Sequence, residues 1–159
     1  KEEFPQFFTE QRKRCDRLTL VANSIGAFFS MSSLDETWID RAYFISPVAD
    51  MEKLIGSMML WSGVREQELS EKREIPTAFG ETLSWRYLTY VREHPISWRI
   101  PTHILYGAHD NLTSPETISA FAERIGAELT VMPDGEHWFH TEQQLRFLDN
   151  WILNSEKSR

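Results

Sequence analysis

Hydrolysis by a serine side chain needs a hydroxyl, an imidazole to take its proton, and a carboxylate to orient that imidazole and stabilise its charged form. Ser24, Asp110 and His137 supply all three, each just past an apolar run with the character of a buried strand. In open parallel sheets ligands sit beyond the carboxyl ends of the strands, so this placement gathers the three groups at one end of a sheet. Their order along the chain, Ser, Asp, His, is one of three in which serine triads occur. Ser46, Asp50, His109, Asp134 and Glu136 share the same kind of position and complete the inventory.

The stretch around Ser24 is the most informative. An apolar run, Leu18-Thr-Leu-Val-Ala, stops at Asn23-Ser24 and gives way to the helix-forming segment Ile25-Gly-Ala-Phe-Phe29. A strand that turns sharply into a helix holds such a serine out at the end of the sheet. Small residues two before and two after it, here Ala22 and Gly26, let strand and helix pass closely. The pentapeptide has the form A-x-S-x-G in place of G-x-S-x-G. On its own it also fits a serine that merely caps a helix.

The remaining elements follow from periodicity and punctuation. The spacing of Phe4, Phe8 and Cys15 predicts a helix over about Glu2 to Cys15. Continuous apolar runs predict strands at Arg17–Asn23, Arg41–Ser46, Thr102–Tyr106 and Glu128–Met132. Helices are expected over Ile25 to about Leu34, over Pro115 to Ile125 behind a Ser114 cap, and over about Thr141 to Leu153. The alternation indicates an α/β fold: a mostly parallel sheet with helices on both faces, built as one domain. From about Asp50 to Trp98 the pattern changes to three helical segments with no strand among them, too long for a simple crossover. This stretch is expected to be an inserted helical cap. Its Met58, Met59, Trp61, Trp85, Tyr87 and Tyr90 suit an adaptable cover over a nonpolar ligand, or else serve only to glue the cap to the body.

Composition narrows the function classes. The chain has 159 residues, 41% hydrophobic and 26% charged, as in ordinary globular proteins. A formal net charge of -7 without a basic block argues against a nucleic-acid surface. One cysteine, Cys15, excludes an internal disulfide and a Cys-based zinc site. The histidines lack metal-ligand spacing, so neither a metal nor another cofactor is expected. No apolar run approaches the ~18 residues of a membrane span. Without signal-peptide character before the first helix, a reducing, cytoplasmic setting is expected.

Three landmarks together resemble the C-terminal part of an α/β-hydrolase: A-N-S24-I-G-A, then Y-G-A-H-D110-N-L-T-S-P after a strand, then G-E-H137-W-F before the last helix. The long interval from Ser24 to Asp110 leaves room for a cap insertion, and the shorter one to His137 for one helix and one strand. The resemblance implies Ser24 as nucleophile, His137 as general base and acid, and Asp110 as its orienting partner. It also implies an oxyanion hole with the backbone N–H of Ile25 as one donor. Trp61, Trp85 and Trp138 are the candidate substrate contacts. Some members place their acid after an earlier strand, where Asp50 stands here, but Asp110 is the better candidate. His140 is expected to start or cap the last helix, His103 to be a strand histidine, His109 to lie near the surface, and His94 to end a cap helix.

The implied activity is serine hydrolysis of a small-molecule carboxylic ester through an acyl-enzyme. Thioester, amide and carbon–carbon hydrolysis would use the same groups. The alternative is a non-catalytic binding or assembly module on the same fold. A flavodoxin-like domain is disfavoured because no Gly-rich phosphate loop follows the first strand. Nothing before Leu18 resembles the early strand and loop that supply the second oxyanion donor. The expectation is therefore a fragment of a longer hydrolase, or a homo-oligomer whose second copy covers the edge of strand 17–23.

Overall fold

The computed structural model describes residues 3–157. The expected first helix is present as α1 (Glu3–Arg12), and Glu2, where it was expected to start, lies outside the described residues. The chain forms two compact units, one from residues 1–49 with 97–159 and the other from residues 50–96.

The first unit is built on a four-stranded parallel sheet of β1 (Thr19–Asn23), β2 (Arg41–Ile45), β5 (Thr102–Gly107) and β6 (Glu128–Met132), in the order β1-β2-β5-β6. Ala22 lies beside Phe44, and Ile104 lies beside both Phe44 and Leu129. Successive side chains point to opposite faces of a strand. In β2 both sets are buried: Tyr43 and Ile45 join Leu105 and Trp151 of α7 (Glu142–Lys157), while Ala42 and Phe44 on the opposite face are fully buried. A central strand covered on both sides accounts for the unbroken apolar run A-Y-F-I. β1 forms one edge of the sheet, and Val21 on it is exposed.

α2 (Ile25–Met31) follows β1, and α6 (Pro115–Ile125) joins β5 to β6. α6 has the expected Ser114 cap, its hydroxyl accepting from Thr117 N–H, and ends at Gly126 in the left-handed conformation. Asp40 locks the entrances of the first two strands together: its carboxylate accepts from Leu18 N–H at 2.7 Å and pairs with Arg12 at 2.9 Å.

The second unit holds α3 (Met51–Trp61), α4 (Glu66–Lys72) and α5 (Trp85–Glu93). It also holds two strands where none was expected: β3 (Glu74–Pro76) pairs antiparallel with β4 (Thr82–Ser84). Ile75 faces Leu83 across this hairpin, and its turn is closed by Thr77 N–H donating to Glu81 C=O with Gly80 at φ 93°. The last helical segment of this unit therefore begins only after the hairpin, at Trp85, capped by Ser84. Arg92 ties the helices by ion pairs to Glu52 at 2.7 Å and Glu66 at 2.6 Å. No helix among the described residues is long and apolar enough to cross a membrane.

Candidate active site

Ser24 stands between β1 and α2 at φ 50°, ψ −123°. A non-glycine residue held there costs on the order of 1–3 kcal/mol and needs its surroundings to hold it. They do so through the backbone: Ser24 N–H donates to Ile45 C=O at 3.0 Å, and its C=O accepts from Ala27 at 3.2 Å and Val48 at 3.1 Å. The side chain makes no capping hydrogen bond, which disposes of the serine as a plain helix cap. Its hydroxyl is spent elsewhere, 2.8 Å from Nε2 of His137.

The other imidazole nitrogen, Nδ1, lies 2.8 Å from Oδ2 of Asp110. Asp110 follows β5, and its second oxygen accepts from Leu112 N–H at 2.8 Å and Thr113 N–H at 3.0 Å. A carboxylate can only accept. It therefore places the ring proton on Nδ1 and leaves Nε2 to accept from the serine hydroxyl. The Asp110 side chain is 0% exposed and that of His137 12%, so the pair is shielded from water while Ser24 remains partly accessible. The three residues come from three strand ends, and the parallel sheet brings them into one continuous hydrogen-bonded chain.

The last member needs a loop pressed closely against the sheet. Gly107 ends β5, and a Cβ built on it would lie 2.5 Å from Gly135 C and 2.6 Å from Glu136 O, with Gly135 O nearer still. Gly135 is confined too, though less severely, since its own Cβ would meet Gly107 Cα at 2.9 Å. Two glycines crossing backbone to backbone thus set the start of the His137 loop at the end of β5. His109 N–H donates to Gly135 C=O at 2.8 Å across that crossing.

Gly26 plays a different part from the one expected of it. A Cβ added there would meet nothing within 4 Å, so close packing of strand on helix does not require a glycine at this position. Ile25 opens α2, and as the first helical residue it has no intrahelical acceptor for its N–H. Trp138 adjoins His137 and is 67% exposed. Trp61 and Trp85 belong to the second unit: Trp61 is exposed and meets Phe79 edge to face, and Trp85 lines a cavity of about 730 Å³.

None of the remaining polar candidates is a member of the Ser24–His137–Asp110 chain of hydrogen bonds. Asp50 caps α3 by accepting from Lys53 N–H. His103 lies within β5 with Nδ1 3.2 Å from the Glu128 carboxylate, without hydrogen-bond alignment. His94 ends α5, its Nδ1 2.8 Å from Tyr90 C=O. His109 is exposed. Ser46, at φ 42°, is fully buried, and its hydroxyl has no partner among the described residues. His140 does not cap the last helix; Thr141 does, its hydroxyl accepting from Gln144 N–H at 3.2 Å. Among the described residues no group of three His, Cys, Asp or Glu side chains is placed to hold a metal ion.

No protein-family profile matches this chain, and no curated protein sequence matches it. Solved structures do. The esterase Est1E from Butyrivibrio proteoclasticus, in its complex with ferulic acid, superposes with a TM-score of 0.70 at 17% identity over 92% of this chain and 64% of its own. Alpha/beta hydrolase domain-containing protein 10 from mouse gives 0.67 at 15% identity over 89% and 62%. A putative hydrolase from Agrobacterium vitis gives 0.63 at 20% identity over 86% and 60%. The chain has the α/β-hydrolase fold, and it spans about three-fifths of the length of these structures.

Proposed function

We propose that this chain carries the nucleophile, acid and base of a serine hydrolase that cleaves carboxylic esters through an acyl-enzyme. The observation that supports it is the unbroken chain from Ser24 Oγ through His137 to Asp110, each link 2.8 Å long, with the serine on a strained strand-to-helix turn. Ser24 Oγ attacks the ester carbonyl while Nε2 of His137 takes its proton, and Asp110 stabilises the imidazolium that forms. The Ile25 N–H is the proposed donor to the developing oxyanion. His137 then returns the proton to the departing alkoxide. Water, activated by the same nitrogen, releases the acid.

Among the fold neighbours, one esterase was solved with ferulic acid bound, which makes an ester of a carboxylic acid the first substrate class to test. Trp138, which follows His137 in the chain and is exposed, is the proposed substrate contact in the first unit. Trp61 and Trp85 of the second unit are proposed as further apolar contacts for a substrate. The setting proposed for this enzyme is the reducing cytoplasm, in keeping with the lone Cys15.

Treatment with a fluorophosphonate probe, followed by intact-mass analysis, tests the reading. A single adduct on the chain that is lost in Ser24→Ala is the expected result. A folded chain that takes no adduct would overturn it and leave the non-catalytic binding module as the better account.

A further inference from the structure

Gln144 lies on the first turn of α7 and is only 4% exposed, which for a glutamine requires that its amide be fully engaged. Half of that engagement is a capping box: Thr141 Oγ1 accepts from Gln144 N–H, and Gln144 Oε1 accepts from Thr141 N–H at 3.3 Å. The same oxygen also accepts from His140 N–H at 3.0 Å. The amide nitrogen reaches back and donates to Asp134 C=O at 3.2 Å. Asp134 and His140 are the two ends of the loop whose middle carries His137. One side chain therefore spans that loop at its base.

A capping box is served equally by glutamate or glutamine. The bond to Asp134 is not, because only the amide has a proton to give to a carbonyl oxygen. We infer that Gln144 is a positioning residue for His137: its amide closes the loop from Asp134 to His140 and so fixes the imidazole between Ser24 and Asp110. The inference rests on the hydrolase reading for its catalytic consequence, but its structural content does not depend on turnover.

Gln144→Glu separates the two roles. The carboxylate keeps both acceptor bonds at the helix start, where a negative charge is also favoured. It loses the donor and sets two oxygens against each other at Asp134. The expected result is a small fall in melting temperature, no larger than that of the Ile39→Val control below, with a fluorophosphonate labelling rate about 10- to 100-fold lower, the scale of loss from a displacement of ~1 Å. Amide hydrogen exchange should quicken at Gly135 and His109, whose bonds lie at the loop's start. Gln144→Ala, which loses the capping box as well, should lower both the melting temperature and the labelling rate. Ile39→Val, a core change before β2, serves as the destabilised control and should label normally.

If Gln144→Glu labels at the parental rate with unchanged exchange at Gly135 and His109, the positioning role is refuted and Gln144 is a cap only. If the parent itself takes no adduct, the hydrolase reading falls. The exchange comparison then still decides whether Gln144 holds the loop.

Discussion

Replacing Gly107 with alanine adds one methyl group at the point where β5 meets the His137 loop. Overpacking a well-filled interior by a methylene typically costs 1–3 kcal/mol, because neighbouring side chains move aside. Here the neighbours are backbone atoms, Gly135 C at 2.5 Å and Glu136 O at 2.6 Å, so no rotamer change relieves the clash. To make room the loop must surrender bonds such as His109 N–H to Gly135 C=O and Gly135 N–H to Met132 C=O. At about 1 kcal/mol net for each, this puts the cost at the upper end of the range, about 3 kcal/mol. For a chain of this size each kcal/mol lowers the melting temperature by about 2–4 °C, so a fall of about 6–12 °C is expected. His137 lies two residues beyond Gly135. A shift of ~1 Å there takes Nε2 out of hydrogen-bonding reach of Ser24, a loss of about 100-fold in rate. Thermal melting by circular dichroism and the rate of fluorophosphonate labelling measure the two effects. Gly56→Ala is the control: it lies within α3, an added Cβ would meet nothing within 4 Å, and exchanging glycine for alanine in a helix should stabilise by about 0.5–1 kcal/mol. A Gly107→Ala chain that melts within 2 °C of the parent by the same scale and labels at its rate would show that the Gly107–Gly135 crossing does not hold the loop.

Two other outcomes are expected. Asp110→Asn should keep the fold, because its remaining oxygen still accepts from the Leu112 and Thr113 N–H groups. Its amide would face Nδ1 of His137 and force the other tautomer, lowering kcat by about 10⁴; near-parental turnover of an activated ester would contradict this. Asp40 bears on acid stability. The Leu18 N–H, and then Arg12, hold its carboxyl below the ordinary aspartate value. A folded-state value depressed below about 3.9 contributes stability above that pH and loses it as pH falls through the lower value. Melting temperatures between about pH 5 and 2 should therefore fall more steeply for the parent than for Asp40→Asn, and parallel curves would show that the lock carries no stability.

Much of the first unit was legible because its signals are strong and local. The runs A-Y-F-I and H-I-L-Y can only be buried strands once charged residues and turns bracket them, and Ser114-Pro115 with Gly126 marks both ends of α6. Ser24, Asp110 and His137 were identifiable because strand ends are few and those residue types at three of them are fewer. The hairpin β3–β4 was not legible. Each strand has three residues with one apolar side chain, Ile75 or Leu83, too little for a period of two to show. Thr141 and Gln144 carry the spacing of a capping box, which would have placed the start of α7 past His140. The further bond from Gln144 to Asp134 depends on how the loop doubles back, and no local pattern encodes that path. The Gly107–Gly135 crossing is likewise a contact between distant backbones, invisible until the sheet is assembled.

The unit at residues 50–96 interrupts the sheet between two strands that pair with each other, β2 and β5. A parallel crossover needs only about a dozen residues, and closure entropy rises by about 0.6 kcal/mol for each doubling of length. An interposed segment about four times longer than the minimum thus costs the sheet only about 1.2 kcal/mol. Every residue of the Ser24–His137–Asp110 chain, together with Gly107, Gly135 and Gln144, lies outside the interruption. Descent can therefore lengthen, shorten or exchange residues 50–96 at little thermodynamic risk, while the groups that would do the chemistry stay under the separate constraint of the sheet.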